Sequence, residues 1–187
     1  MQPKIIENFI STSTCKYLND YFLNSIPLDE QGYANVYINK FLSFYDKEYL
    51  LKTLDKQIPD QALFYDVLNL IYISIKAQFP FAKDDIEIEL FNYRSFGAGQ
   101  KYLGYHADNY GGPGTLYSAL LYITDDYEGG EIIFYDEDFP DDSSPVTYKP
   151  KAGSLFLFTS IDGHKVNPVI SGKRALFIIH LRTPPAI

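Results

Sequence analysis

The chain has 187 residues, a formal net charge of −8 at pH 7 and a single cysteine, Cys15. That length is enough for one domain to bury a core of its own, and one cysteine excludes an internal disulfide framework. Because so acidic a surface repels phosphate backbones, we expect no nucleic-acid partner.

The amino terminus lacks the long uncharged apolar run of a signal peptide, and no stretch is apolar for long enough to span a membrane. The sequence therefore predicts a cytoplasmic protein with no membrane association. Its 17 tyrosines and 14 phenylalanines favour strands over helices, so a β-rich domain is expected.

Two helices are predicted in the first half of the chain. After a strand over residues 4–10, a run of four serines and threonines offers N-caps for a helix that ends near Leu23. A short strand is predicted at residues 36–38. Apolar residues recur at intervals of three and four over residues 61–79, and Pro80 ends this second helix.

Closely spaced strands are predicted from residue 86 onward. They cover residues 86–96, 100–108, 116–124, 131–135, 154–158, 166–170 and 173–182. Helices followed by strands predict a mostly β, α+β architecture: a cupin-like jelly roll (double-stranded β-helix) with N-terminal helices packed on one sheet. No linker divides the chain, so one domain is predicted over residues 1–187, with support in about 1–85 and the jelly roll in about 86–183.

His106 and Asp108 are the starting point for function. Residues two apart on a strand leave the same face, so this pair can bind one ion from one side. With His164 as a third ligand, the set matches the facial triad of a non-haem Fe(II) oxygenase. The alternatives are a strand histidine hydrogen-bonded near a turn and a turn carboxylate before Asn109.

The order of these residues, with Arg174 ten positions after His164, resembles the 2-oxoglutarate- and Fe(II)-dependent dioxygenases, above all their prolyl-4-hydroxylase-like branch. Further similarity lies in residues 120–134, with a double-glycine turn, and in residues 149–158 before the distal histidine. Residues 172–179 are similar as well and contain the basic residue, Arg174. The resemblance covers nearly the whole chain and is strongest from residue 86.

The resemblance implies that His106, Asp108 and His164 form the catalytic Fe(II) site. Three protein ligands leave three octahedral positions for 2-oxoglutarate and O2; ascorbate is a further candidate cofactor. Arg174 would bind the far carboxylate of 2-oxoglutarate through its guanidinium fork. The alternative is a surface arginine after a turn, but Leu176 shares its strand face and should point inward.

The resemblance also implies a role for two tyrosines in cofactor binding. Tyr122 would offer a second hydroxyl to the far carboxylate, the alternative being a core tyrosine whose hydroxyl is satisfied. Many relatives carry a tyrosine ten residues before the first histidine, where this chain has Phe96. Tyr102 is predicted to replace that hydroxyl.

Three residues are predicted at the substrate rim. His180 lies six residues after Arg174 on the same strand face, where relatives line the mouth of the site; the alternative is a core histidine. Nucleic-acid demethylases carry arginine there, so a histidine argues against that activity. Asn109 and Tyr110 begin a Gly- and Pro-rich loop that we expect to contact substrate.

The predicted activity is hydroxylation of an unactivated C–H bond, with a prolyl residue of a protein or peptide as the leading substrate. A free amino acid or small metabolite is the alternative substrate. Two hypotheses without enzyme activity also stay open. In one, the protein is a metal-binding jelly roll that acts as a sensor or binding module. In the other, it is a scaffold whose histidines are structural.

Overall fold

The structure is a computed structural model that describes residues 2–25, 33–34, 42–43, 60–80, 86–100, 104–109, 115–135 and 145–182. The helices within these ranges are α1 (Thr12–Ser25) and α2 (Gln61–Gln78). The strands are β1 (Lys4–Ile6), β2 (Tyr33–Ala34), β3 (Leu42–Ser43), β4 (Glu87–Gly97), β5 (Thr115–Tyr122), β6 (Glu128–Gly129), β7 (Ile132–Phe134), β8 (Val146–Tyr148), β9 (Leu155–Thr159), β10 (His164–Val166), β11 (Val169–Ser171) and β12 (Lys173–Arg182). No helix in the described ranges is both long and apolar enough to cross a membrane.

Both predicted helices are confirmed, and both begin at a side-chain cap. The Ser11 hydroxyl accepts a hydrogen bond from the Thr14 N–H at 3.1 Å. The Asp60 carboxylate accepts one from the Leu63 N–H at 3.0 Å. Each cap satisfies a backbone donor that the first helical turn leaves without a partner. Helix α2 ends two residues before Pro80, as expected for a residue that cannot continue a helix.

The strands form one large and two small antiparallel sheets. The large sheet has the order β1-β9-β5-β12-β4-β2, with β3 also paired to β4; we call it the major sheet. The small sheets are β10-β7-β8 and β11-β6. This mostly β arrangement with two helices confirms the predicted jelly-roll class.

Alternation along the central strands places one apolar core on each face of the major sheet. Leu121 and Phe177 belong to a core that includes residues of both helices. Their neighbours Leu120 and Leu176 belong to a second core with Phe134 of β7. The second core lies between the major sheet and the small sheets, and we call this space the interior of the jelly roll.

The strand predicted over residues 100–108 differs from the structure. Of these, residues 100 and 104–108 are described, and they contain one isolated bridge, from His106 to His164, rather than a continuous strand. The chain leaves the bridge because the Asn109 N–H donates to the Ser160 carbonyl at 2.9 Å, outside β10. Asp108 follows this bridge, two residues after His106.

Other strands also differ from prediction. The strand predicted over residues 4–10 is β1, which ends at Ile6. Residues 166–170 do not form one strand, because Pro168 lacks an N–H donor and separates β10 from β11. Residues 128–130, predicted as a turn, contribute β6, which pairs with β11. The strand predicted at residues 36–38 lies outside the described residues.

Candidate active site

A backbone bridge brings His106 and His164 together. Each N–H donates to the other's carbonyl at 2.9 Å, and the ring centroids are 4.4 Å apart. Their Nδ1 atoms lie 2.8 Å from the Gly104 carbonyl and 3.0 Å from the Asp162 carbonyl. Because a carbonyl oxygen only accepts, Nδ1 carries the proton in each ring. In a neutral ring held this way, Nε2 is the atom that keeps a lone pair for a metal ion.

Asp108 completes a three-residue set with these histidines. Its Oδ1 lies 3.7 Å from Nε2 of His106 and 3.9 Å from Nε2 of His164. The donor atoms of the three residues all lie within 4.8 Å of one another. Two imidazoles and one carboxylate grouped in this way are the ligand set of the facial triad, so these residues fit Fe(II).

The surroundings of His164 keep its ring neutral. The ring stacks on Phe134 at 5.5 Å between centroids and meets the edge of Phe158 at 5.0 Å. Burial lowers the pKa of His164, although the carboxylate of Asp108 opposes that shift. A neutral imidazole is the form that binds a metal.

A buried guanidinium lies on the same interior face. Arg174 is only 3% exposed, and its Nη2 donates to the Tyr122 hydroxyl at 2.9 Å. The guanidinium carbon lies 5.1 Å from the centre of the Tyr122 ring and 5.6 Å from that of Phe96. Its Nε has no hydrogen-bond partner in the described part of the chain.

The charge of Arg174 is the strongest indication of a ligand. No described carboxylate forms an ion pair with it. A buried cation without a protein counter-ion is costly, whereas an anion bound beside it removes that cost. The structure places Arg174 and Tyr122, the two residues that the resemblance implies, in direct contact, and the pair fits a carboxylate ligand.

Tyr127 also faces this guanidinium, and sequence reasoning missed it. Its buried hydroxyl has no partner among the described residues, and burial raises the pKa of Tyr127 while the charge of Arg174 opposes the shift. Gly130, at a φ of +67°, keeps the space open: a Cβ there would lie 2.9 Å from Tyr127 Cε2 and 3.0 Å from Arg174 Cδ. The adjacent double glycine was the one available signal.

The remaining predicted site residues lie in different places. His180 is buried, and its Nε2 lies 3.5 Å from Oδ2 of Asp108, beside the triad. Asn109 follows Asp108 and donates its N–H to Ser160. Tyr102 and Tyr110 lie outside the described residues.

A jelly roll with two histidines and an aspartate close together, and a buried arginine on the same interior face, is typical of the non-haem iron oxygenases. The family model of the 2OG-Fe(II) oxygenase superfamily matches residues 89–182, half of the chain. The chain belongs to that superfamily, which confirms the family resemblance seen in the sequence.

Similar proteins include human prolyl 3-hydroxylase 2, which is 39% identical over 71 residues, or 37% of this chain and 10% of that protein. A PKHD-type hydroxylase of Shewanella sp. (strain ANA-3) is 34% identical over 93 residues, or 46% of this chain and 39% of that protein. The matches thus span well under half of these relatives. The crystal structure of a Pseudomonas putida prolyl-4-hydroxylase shares the fold, with a TM-score of 0.67, 14% identity and coverage of 98% of this chain and 94% of that one.

Proposed function

We propose that the protein is an Fe(II)- and 2-oxoglutarate-dependent dioxygenase that hydroxylates an unactivated C–H bond. The observation that carries this proposal is the pairing of two features on one interior face. One is a two-histidine, one-carboxylate set within 4.8 Å. The other is a buried arginine with no carboxylate partner among the described residues. Family membership supports both cofactors.

Each residue of the set has a defined task. Nε2 of His106, Nε2 of His164 and Oδ1 of Asp108 would hold Fe(II). Fe(II) and 2-oxoglutarate bound there would supply the activation of O2, with one oxygen atom going to succinate as CO2 is released and the other going to the substrate. Ascorbate would serve only to keep the iron reduced. Phe134 and Phe158, packed on His164, exclude water from that side of the site.

Arg174 and Tyr122 hold the far carboxylate of 2-oxoglutarate. The guanidinium offers charge-assisted hydrogen bonds, and the Tyr122 hydroxyl that accepts from Nη2 points its own proton away from Arg174, toward an acceptor. The Tyr127 hydroxyl is a further donor at the same place. These groups would fix one end of the cosubstrate and so restrict the orientation of the rest of the molecule.

Substrate would approach from the side of His106. The His106 side chain is 19% exposed, whereas that of His164 is 5% exposed. The similarity to named prolyl hydroxylases supports a prolyl residue of a protein or peptide as the substrate. A free amino acid or small metabolite is the alternative, and a cytoplasmic location stays a prediction.

The first experiment tests cofactor binding without turnover. Adding Fe(II) and 2-oxoglutarate to the metal-free protein under anaerobic conditions should give a visible charge-transfer band. Arg174→Ala should lack the band at the same 2-oxoglutarate concentration. A protein that binds metal without ever giving the band would be a sensor or binding module, and one that binds neither would be a structural jelly roll.

A second experiment identifies the substrate. Proline-rich peptides and free amino acids are incubated with the complete enzyme and analysed by mass spectrometry for the gain of one oxygen. Asp108→Ala protein is incubated in parallel, so that oxidation products formed by free iron are recognised and subtracted. Oxygen gain only on free amino acids would reject the prolyl-peptide assignment and leave the oxygenase activity intact.

A further inference from the structure

We propose that Ser118 and His180 form a cross-strand clamp that orients the Asp108 carboxylate, so that only Oδ1 faces the metal. Both are positioning residues, since they act through Asp108. The inference rests on the metal site proposed above, and no spacing in the sequence connects Ser118 with that site.

The two oxygens of Asp108 have different surroundings. Oδ1 faces the two triad histidines at 3.7 and 3.9 Å. Oδ2 accepts a hydrogen bond from the Ser118 hydroxyl at 2.5 Å and lies 3.5 Å from Nε2 of His180. His180 is not one of the residues whose donor atoms lie within 4.8 Å of one another. It therefore lies near the carboxylate oxygen that does not face the two triad histidines.

The clamp is built into the major sheet. Ser118 of β5 and His180 of β12 are directly opposite each other in the antiparallel register, so their side chains leave the same face. Both are buried, as is Asp108. Two adjacent side chains on paired central strands form a rigid support for the Asp108 carboxylate.

Asp108 needs such a support because no regular strand holds it. Its segment is attached through the bridge at His106 and through the N–H of Asn109. His164 belongs to β10 of a small sheet, whereas Ser118 and His180 belong to the major sheet. The contacts of Asp108 with Ser118 and His180 therefore connect the segment of the triad histidines to the major sheet.

The consequence for metal binding follows from the hydrogen bond to Oδ2. A carboxylate oxygen that already accepts a short hydrogen bond is a poor second ligand, so Asp108 binds through one oxygen and leaves three positions open. Partners of metal ligands typically contribute ~10–100-fold to metal affinity. Ser118 should contribute more than His180, because 3.5 Å is longer than a good hydrogen bond.

The test measures Mn(II) affinity, which involves no turnover. Free Mn(II) is followed by electron paramagnetic resonance during titration of wild type, Ser118→Ala, His180→Leu and His180→Gln. Ser95→Ala is the matched control, because Ser95 is also buried in the major sheet but its neighbour in the register, Ala175, belongs to the core on the helix side.

We expect Ser118→Ala to weaken Mn(II) binding by ~10–100-fold. His180→Leu should weaken it by less, and His180→Gln, which keeps a donor near Oδ2, should restore most of the loss. Ser95→Ala should bind like wild type. Melting in the presence of EDTA should give similar midpoints for all variants, which separates metal positioning from a general loss of structure.

Three results would overturn the inference. Wild-type affinity in both Ser118→Ala and His180→Leu would show that Asp108 needs no clamp. An equal loss in Ser95→Ala would show that any buried change weakens the site. Wild-type protein that binds no Mn(II) would reject the metal site itself, and the proposed function would fall with it.

Discussion

The two faces of strand β12 differ sharply in chemistry, although they alternate along residues 174–181. One face consists of Ala175, Phe177, Ile179 and Leu181, all in the core that contacts the helices. The other begins with Arg174, continues through Leu176 and Ile178, and ends with His180, all turned toward the interior. One face is wholly apolar, and the other carries a charge and an imidazole.

The helix-facing side is built for stability. The Phe177 ring lies within 5.0–5.6 Å of the rings of Phe22, Phe64, Phe91 and Tyr93. Aromatic pairs at such distances add to the free energy gained by burying their surface. The interior side instead buries a cation and gains little by doing so unless an anion binds. The comparison shows that folding and ligand binding are divided between alternate residues.

Asp108→Ala should have the largest effect on activity. Removing the carboxylate leaves two imidazoles, too few ligands to hold Fe(II) in the facial arrangement, so 2-oxoglutarate-dependent succinate formation should be abolished. Circular dichroism should show an intact fold. Asp125→Ala is the control, because that carboxylate accepts from the Ala152 N–H at 3.2 Å, away from the triad; persistent turnover in Asp108→Ala would reject the ligand assignment.

Phe177→Ala should destabilise the core on the helix-facing side of β12. Truncating a fully buried phenylalanine typically costs about 3–5 kcal/mol of stability, measured as the change in the free energy of unfolding with urea. The 2-oxoglutarate Kd of the folded variant should stay close to the wild-type value, since the ring faces the helices. A weakened Kd at wild-type stability would contradict the division between the two faces.

Arg174→Ala should raise the 2-oxoglutarate requirement by orders of magnitude. The far carboxylate would lose a buried, charge-assisted partner, a loss of about 2–5 kcal/mol in binding free energy, measured by titration calorimetry with Mn(II) in place of iron. Arg182→Ala removes an arginine of the same strand that instead lies 3.6 Å from Glu87, and it should bind normally. An unchanged requirement in Arg174→Ala would point to another cation.

Tyr127→Phe should have the smallest effect. Loss of one neutral donor to a charged acceptor costs about 1.5–3 kcal/mol at most, so 2-oxoglutarate should bind more weakly than to wild type but better than to Arg174→Ala. Tyr148→Phe is the control, because the Tyr148 ring packs in the interior while its hydroxyl donates to Gln2. Equal 2-oxoglutarate Kd values for the two variants would show that the Tyr127 hydroxyl does not bind 2-oxoglutarate.

The sequence alone determined the features that depend on local pattern. Helical spacing and caps predicted both helices to within a few residues, and alternation placed Arg174 on the interior face with Leu176. Residue type and order predicted the His106, Asp108 and His164 set, and the family resemblance implied the pairing of Arg174 with Tyr122. The helices and the strand faces can be inferred from sequence because propensity and periodicity act over a few residues at a time.

Only the tertiary structure decided which distant side chains meet. Ser118 carries no local signal, since a serine in a strand is ordinary in this sequence, and for Tyr127 the adjacent double glycine is the one local signal. Tyr127 faces Arg174 because β6 and β11 bring their segments together. Ser118 lies beside His180 because β5 pairs with β12 in a fixed register, and the Asp108 carboxylate meets both side chains there. Strand register and sheet order are set by packing across the whole domain, so the polar contacts they create cannot be inferred from any short stretch of sequence.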